Sequence, residues 1–168
     1  MTDVKTVLLD QLLANANDGS WYLPFSEAVD GLTESEAFWK PDDSSHSIAE
    51  IVQHLIFWNE TWQVRYKENQ VNAVPLVQHN ADTFLVRSDE SFLQLKEKLV
   101  NALLQWQELI DHDRLTSPVN GFSEKAEWWS ILSNTATHNA NHIGQMIYIR
   151  KMRKHQDDTA DSYTLDKN

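Results

Sequence analysis

The sequence contains no cysteine. This absence excludes a disulfide framework, a thiolate metal site and a cysteine nucleophile. It also fits a reducing compartment, and residues 1–15 lack the apolar core of a signal peptide. No run of about 18 apolar residues occurs anywhere in the chain, so we expect a cytoplasmic protein with no membrane partner.

Glycine, proline and basic residues are also scarce. Four glycines and four prolines in 168 residues are too few for the many tight turns of an all-β protein. The 14 basic residues are outnumbered by 25 acidic ones, which gives a formal net charge of −11. Because a field of that sign repels a phosphate backbone, no nucleic-acid partner is expected. The one basic run, at 150–155, is typical of the end of a long helix.

Apolar residues recur at spacings of three and four in the N-terminal part of the chain, which predicts a first helix. This helix begins near Asp3, is interrupted at 15–20 and resumes over 21–31, with Pro24 in its first turn. A connection with a short helical turn follows over 33–39.

Three further helices are predicted from the same periodicity. The second begins at Ser47, where Ser47 and Glu50 have the spacing of a capping box, and it ends near Asn69. After a long loop at 70–87, the third helix begins past Ser88. A loop of that length is often functional or forms an interface.

The fourth helix is predicted to run from Ser123 or Glu124 to Lys154. Four amphipathic helices without a convincing strand indicate an all-α four-helix bundle with long connections. We assign this bundle to residues 1–155 and expect 156–168 to form a polar, disordered tail. The seven tryptophans are expected to fill the core and a subunit interface.

Three histidines form the candidate site. His138 and His142 stand four apart on the fourth helix, so both rings lie on its apolar face and can reach one ion. His54 lies at the apolar side of the second helix. Converging imidazoles would resemble an open catalytic zinc site, in which three protein ligands leave one position free. From spacing alone, two satisfied core histidines and one surface histidine are an equal alternative.

The surroundings of these histidines leave further alternatives open. Glu50 could orient the His54 ring, although closing the capping box is the favoured role. Asn139 follows His138, so the glutamate of the zincin motif His-Glu-x-x-His is missing. Three asparagines near the pair could bind ring nitrogens or face solvent: Asn134, Asn139 and Asn141. The remaining four histidines are interpreted as surface residues: His46, His79, His112 and His155.

Two segments of the sequence contain distinctive motifs. One contains Gly31-Leu-Thr-Glu-Ser-Glu-Ala, Trp39-Lys-Pro and His46-Ser-Ile-Ala-Glu-Ile-Val-Gln-His54. The other is Thr137-His-Asn-Ala-Asn-His-Ile-Gly-Gln-Met-Ile-Tyr-Ile-Arg-Lys151. Together these motifs resemble the DinB-like (DinB/YfiT) family, and the resemblance extends over residues 1 to about 154. It implies a four-helix bundle that holds one divalent metal ion on His54, His138 and His142, and it implies a homodimer without DNA contact.

The resemblance also implies a range of activities. Relatives include metal-dependent transferases and isomerases that use low-molecular-weight thiols such as bacillithiol, mycothiol or glutathione. One hypothesis is therefore a transferase that activates an external thiol, or water, at an open three-histidine site, with no catalytic residue yet identified. The alternatives are a non-catalytic, metal-stabilised dimeric binding module and a metal-dependent hydrolase. Imidazole ligands suit zinc, nickel, copper and iron, of which zinc or nickel is expected.

Overall fold

The computed structural model describes residues 3–122 and 125–165, without the side chains of residue 155 and of 157–165. Within these ranges the chain is helical and has no strand, only two isolated β-bridges, which confirms the all-α prediction. Four long helices form the bundle: α1 Val4–Ala16, α4 Ile48–Glu68, α5 Phe92–Leu109 and α7 Trp128–Leu165. Three short helices lie between them: α2 Phe25–Ala28, α3 Glu34–Phe38 and α6 His112–Leu115. Two 3₁₀ segments, Val71–Ala73 and Asn80–Phe84, occupy the long loop.

Capping boxes define the starts of the central helices. At α4, the Ser47 hydroxyl accepts from the Glu50 amide and the Glu50 carboxylate accepts from the Ser47 amide, as predicted. The helix ends where Asn69 adopts a left-handed conformation with φ of 51°. A second box, formed by Ser91 and Gln94, starts α5 slightly later than the position expected after Ser88. Each box satisfies amide groups that the first helical turn leaves without partners.

The first arm of the bundle differs from its prediction. α1 ends at Ala16, and the helix expected over 21–31 is reduced to the single turn of α2. Pro24 is the N-cap of this turn rather than a residue of it. Trp21 is fully exposed and therefore lies outside the core that the described residues form. The residues between α1 and α2 include Gly19, which opposes a continuous helix in this region.

The last helix also has different bounds. It begins at Trp128, whereas the predicted start at Ser123 or Glu124 lies outside the described residues. Its backbone remains helical to Leu165, past the end expected at Lys154, so the basic run does not cap a helix terminus. The division at residue 155 stays a prediction, and residues 166–168 lie outside the described part. In that part, no helix has the length and apolar content needed to cross a membrane.

The buried side chains form two hydrophobic clusters along the bundle axis. The larger cluster contains Leu55, Leu99 and Met146, and the smaller one contains Trp106 and Trp128. Between them lie four buried amide side chains, here called the polar layer: Asn15, Asn59, Gln63 and Asn139.

Hydrogen bonds across the polar layer join all four long helices. The side-chain amides of Asn59 on α4 and Asn139 on α7 form two reciprocal hydrogen bonds, of 2.9 and 3.2 Å. The indole of Trp106 on α5 donates to Asn59 over 2.9 Å. Gln63 donates to a carbonyl of α5, and Asn15 of α1 donates to a carbonyl of α7. Buried amides that were not paired in this way would cost about 1–3 kcal/mol each.

Candidate metal centre

The structure brings together the three histidines that the sequence singled out. His54 on α4 is buried, whereas His138 and His142 on α7 are half-buried. The Nε2 atoms of His54 and His138 are 3.1 Å apart. The ring centroid of His142 lies 4.7 Å from that of His54 and 4.6 Å from that of His138. One nitrogen from each ring falls within 4.8 Å of the others.

The antiparallel packing of α4 against α7 produces this convergence. Asn69 near the end of α4 accepts from the indole of Trp128 at the start of α7. Further along the same interface, Asn59 meets Asn139, and His54 meets His142. Residues spaced four apart therefore place one face of each helix toward a shared cleft.

The tautomer of His54 follows from its neighbours. Its Nδ1 lies 2.6 Å from the hydroxyl of Thr83, and that hydroxyl donates its only proton to the Asn80 carbonyl over 2.6 Å. Thr83 can consequently only accept from the ring, so His54 carries its proton on Nδ1. The lone pair of His54 is then on Nε2, which faces His138.

His142 is oriented in a similar way. Its Nδ1 lies 3.0 Å from the Oε1 atom of Gln145, one helical turn further along α7. A carbonyl oxygen only accepts, so the Nδ1 of His142 carries the proton and its Nε2 keeps the lone pair. Partners of this kind fix ring orientation and raise the basicity of ligating histidines.

All three imidazoles are neutral at pH 7. Burial first, and then the neighbouring His142 and His138, lower the pKa of His54 to about 3. Burial, together with His142, lowers the pKa of His138 to about 4. The pKa of His142 is also lowered, chiefly by burial. Neutral rings are the form that binds metal ions.

The cluster fits the donor set of a divalent metal ion. Two nitrogens bound to one ion at about 2.0–2.1 Å are roughly 3.3 Å apart at the tetrahedral angle. The separation of 3.1 Å between His54 and His138 is close to that value. Modest ring movements would bring His142 to the same point, because its ligand nitrogen already lies within 4.8 Å. The three-histidine group could therefore hold a metal ion.

An aromatic ring supports the cluster from the loop side. Phe84 stacks on His54 with centroids 4.0 Å apart, and His46 stacks on the other side of Phe84 at 3.9 Å. Thr83 and Phe84 both belong to the 3₁₀ segment in the loop at 70–87. The length of this loop indicates a functional segment, but no sequence pattern pointed to either residue.

The other candidate residues have different roles. Glu50 closes the capping box and pairs with Lys40 at 2.6 Å, which confirms its favoured interpretation. Asn139 lies in the polar layer and Asn141 is exposed, so neither serves as a partner of the histidine rings. His46, His79 and His112 are exposed, as expected, and the His155 side chain lies outside the described residues.

An open cavity of about 610 Å³ adjoins the histidines. All three rings line it, so the cluster can be reached from solvent. Its other described lining residues are largely aromatic or uncharged polar: Trp58, Asn59, Trp62, Asn80, Phe84, Phe122, Ile131, Asn134 and Thr135. Trp58 and Trp62 form a wall of this cavity, and Trp62 also packs against the smaller hydrophobic cluster, as expected of a tryptophan near the core.

These features define a helical-bundle protein with three histidines grouped at the base of an open cavity. The sequence profile of the DinB superfamily matches residues 24–146, which is well over half of the chain. The chain therefore belongs to the DinB superfamily, as the resemblance indicated.

A solved structure supports the same fold. A DinB-like protein from Bacillus subtilis is 18% identical to this chain, with a TM-score of 0.59. The match covers 87% of this chain and 91% of that protein. A comparison with curated proteins found no match.

Proposed function

We propose that this chain binds one divalent metal ion, zinc or nickel, through His54, His138 and His142. We further propose that it acts as a metal-dependent transferase on a low-molecular-weight thiol, or on water. The observation that carries this proposal is the convergence of three neutral imidazoles at the base of a cavity open to solvent. When bound, a divalent ion supplies a Lewis acid that lowers the pKa of a thiol or a water.

The residues of this chain would hold and orient the reacting groups. Thr83 and Gln145 fix the tautomers of His54 and His142, so that both Nε2 lone pairs are available. Phe84 stacks on one face of the His54 ring and shields that face. The three ligands come from only two helices, which leaves the cavity side free for a small molecule.

Access to the histidines favours a catalytic role over a purely structural one. Structural metal sites are closed, whereas catalytic sites keep a reachable position. His138 and His142 are half-buried and line the cavity, an arrangement that a closed structural site does not need. The non-catalytic module and the hydrolase remain the competing proposals. A homodimer is part of the proposal through the family resemblance alone.

Metal content is the first test. The wild type is purified without an affinity tag beside His54→Ala, His138→Ala and His142→Ala, and each is analysed by inductively coupled plasma mass spectrometry. We expect about one ion per wild-type chain and its loss in all three variants. The control His79→Ala removes an exposed histidine outside the cluster and should retain the ion. Absence of metal from the reconstituted wild type would overturn the proposal.

Activity then separates the functional alternatives. The metal-loaded protein is assayed with electrophiles in the presence and absence of bacillithiol, mycothiol or glutathione. Turnover that requires a thiol supports the transferase. Turnover without thiol points to the hydrolase, and metal binding without any turnover points to the binding module.

A further inference from the structure

We infer that the cavity beside the three histidines binds an uncharged, flat, apolar group of the substrate. This inference names the substrate class for the proposed function, and it rests on that function only for the reaction. Binding of the apolar group itself depends on the cavity walls, so it is measurable without any metal.

Aromatic rings supply the walls. The rings of Trp62 and Phe122 are parallel within 7°, with centroids 6.3 Å apart. Trp58 stands edge-on to His54, with centroids 6.4 Å apart. Trp58 and Trp62 are only half-buried and Phe122 is exposed, so these rings keep apolar area that a ligand can cover. Flat groups gain most from such surfaces because offset stacking and edge contacts add to the area that is buried.

Charge is what the described part of this cavity lacks. Among its described lining residues there is no aspartate, glutamate, lysine or arginine. The guanidinium of Arg65 lies 4.7 Å from the Trp62 ring centroid, but Arg65 does not line the cavity. A charged group placed against the aromatic walls, away from the histidines, would lose its hydration without gaining an ion pair from the described lining residues.

A few uncharged polar groups can orient the ligand. Asn80 and Asn134 offer carboxamides at exposed positions of the lining. Thr135 donates its hydroxyl proton to the Ile131 carbonyl, so toward the cavity its oxygen can only accept. A neutral hydroxyl or amide on the ligand suits these partners. The charged parts of a thiol such as glutathione would have to remain outside the aromatic walls.

The test compares two probes of matched shape, 2-naphthol and 2-naphthoate, by isothermal titration calorimetry. The protein is made metal-free with a chelator, so that the carboxylate cannot coordinate an ion. At neutral pH we expect 2-naphthol to bind at least about tenfold more tightly than 2-naphthoate, a difference of about 1.4 kcal/mol. Equal or tighter binding of 2-naphthoate would overturn the inference.

Variants locate the binding surface. Trp62→Ala and Phe122→Ala should each weaken 2-naphthol binding several-fold, and Phe122 is exposed enough that its loss should not prevent folding. The control Trp21→Ala removes a fully exposed tryptophan outside the cavity and should bind like the wild type. Unchanged binding in Phe122→Ala would contradict the assignment of the walls.

The result stands apart from the metal test. Selective binding of 2-naphthol by a protein that takes up no metal would support this inference and overturn the proposed transferase. A protein that takes up one metal ion, but whose metal-free form shows no preference for 2-naphthol, would overturn this inference and leave the proposed transferase intact.

Discussion

The imidazole of His54 donates its Nδ1 proton to the hydroxyl of Thr83 over 2.6 Å. Thr83 lies in the long loop, 29 positions further along the sequence. Thr83 in turn donates to the Asn80 carbonyl. This two-step chain determines which nitrogen of His54 is free, and it ties the 3₁₀ segment of the long loop to the proposed metal site. A residue of the loop thus fixes the tautomer of a histidine that belongs to α4.

Replacement of Thr83 by valine should weaken metal binding. Valine matches the shape of threonine but cannot accept the proton of His54, so the ring loses its orientation. We expect metal affinity to fall about 10- to 100-fold. A competition titration with a chromophoric chelator measures this change. Thr83→Ser should stay near wild type, as should Thr116→Val at an exposed threonine; equal losses in Val and Ser variants would refute the role of the hydroxyl.

Gln145 should contribute less than Thr83. Its bond to His142 is exposed and 3.0 Å long, and water can replace it in Gln145→Leu. We therefore expect a loss in metal affinity of only a few-fold, smaller than that of Thr83→Val. Gln145→Glu supplies a stronger acceptor and should tighten binding. The same chelator titration ranks the variants, and a larger loss at Gln145 than at Thr83 would reverse the assignment.

The stability of the metal-free protein should fall in mild acid. The pKa of His54 is about 3 in the folded protein, against an ordinary value of 6.5 that the unfolded chain retains. The unfolded state therefore binds more protons between these values, and unfolding becomes easier as pH falls from 6.5 toward 3. Above pH 6.5 this contribution is fully present. For one buried histidine the slope approaches about 1.4 kcal/mol per pH unit.

Urea unfolding at a series of pH values measures this dependence. Carboxylates also titrate at the acid end, so the wild type is compared with His54→Asn, which cannot take up a proton. The variant should show a shallower fall in the free energy of unfolding between pH 6.5 and 4.5. Identical slopes would show that the ring of His54 does not lose protons on folding.

Asn59 should be the most sensitive position of the polar layer. Asn59→Leu removes the acceptor of the Trp106 indole and both hydrogen bonds to Asn139. The Trp106 indole N–H and the Asn139 amide then stay buried without these partners. We expect a loss of about 3 kcal/mol in the free energy of unfolding. Asn101→Leu, at an exposed position of α5, should change it by less than about 0.5 kcal/mol.

A double-mutant cycle tests the pairing. If Asn59 and Asn139 depend on each other, the variant Asn59→Leu/Asn139→Leu should lose less stability than the sum of the two single variants. Strict additivity would indicate that the two amides act independently.

Local signals in the sequence predicted much of the bundle. The capping box at Ser47 and Glu50 and the spacing of His138 and His142 both depend on residues within one or two helical turns. His54 could be added because it lies on the apolar side of a strongly periodic helix. The fold class and the grouping of the three histidines followed from these signals together with the family resemblance.

The remainder depends on contacts between distant segments. Thr83 and Phe84 lie in a loop without periodicity, so no pattern placed them against His54. Tryptophan usually lies in a hydrophobic core, yet Trp21 is fully exposed in the described part of the chain. The amides of the polar layer read as ordinary helix residues, because their pairing exists only once the helices have packed.

The polar layer also fixes how far α7 is shifted along the bundle axis relative to α4. A slip of α7 by one turn, about 5.4 Å, would bring Thr135 or Ile143 opposite Asn59 in place of Asn139. Hydrophobic contacts alone tolerate such a slip, since one apolar side chain can substitute for another. The reciprocal amide pair does not tolerate it. Because His138 immediately precedes Asn139, the pair that aligns the helices also sets the height of the α7 histidines relative to His54.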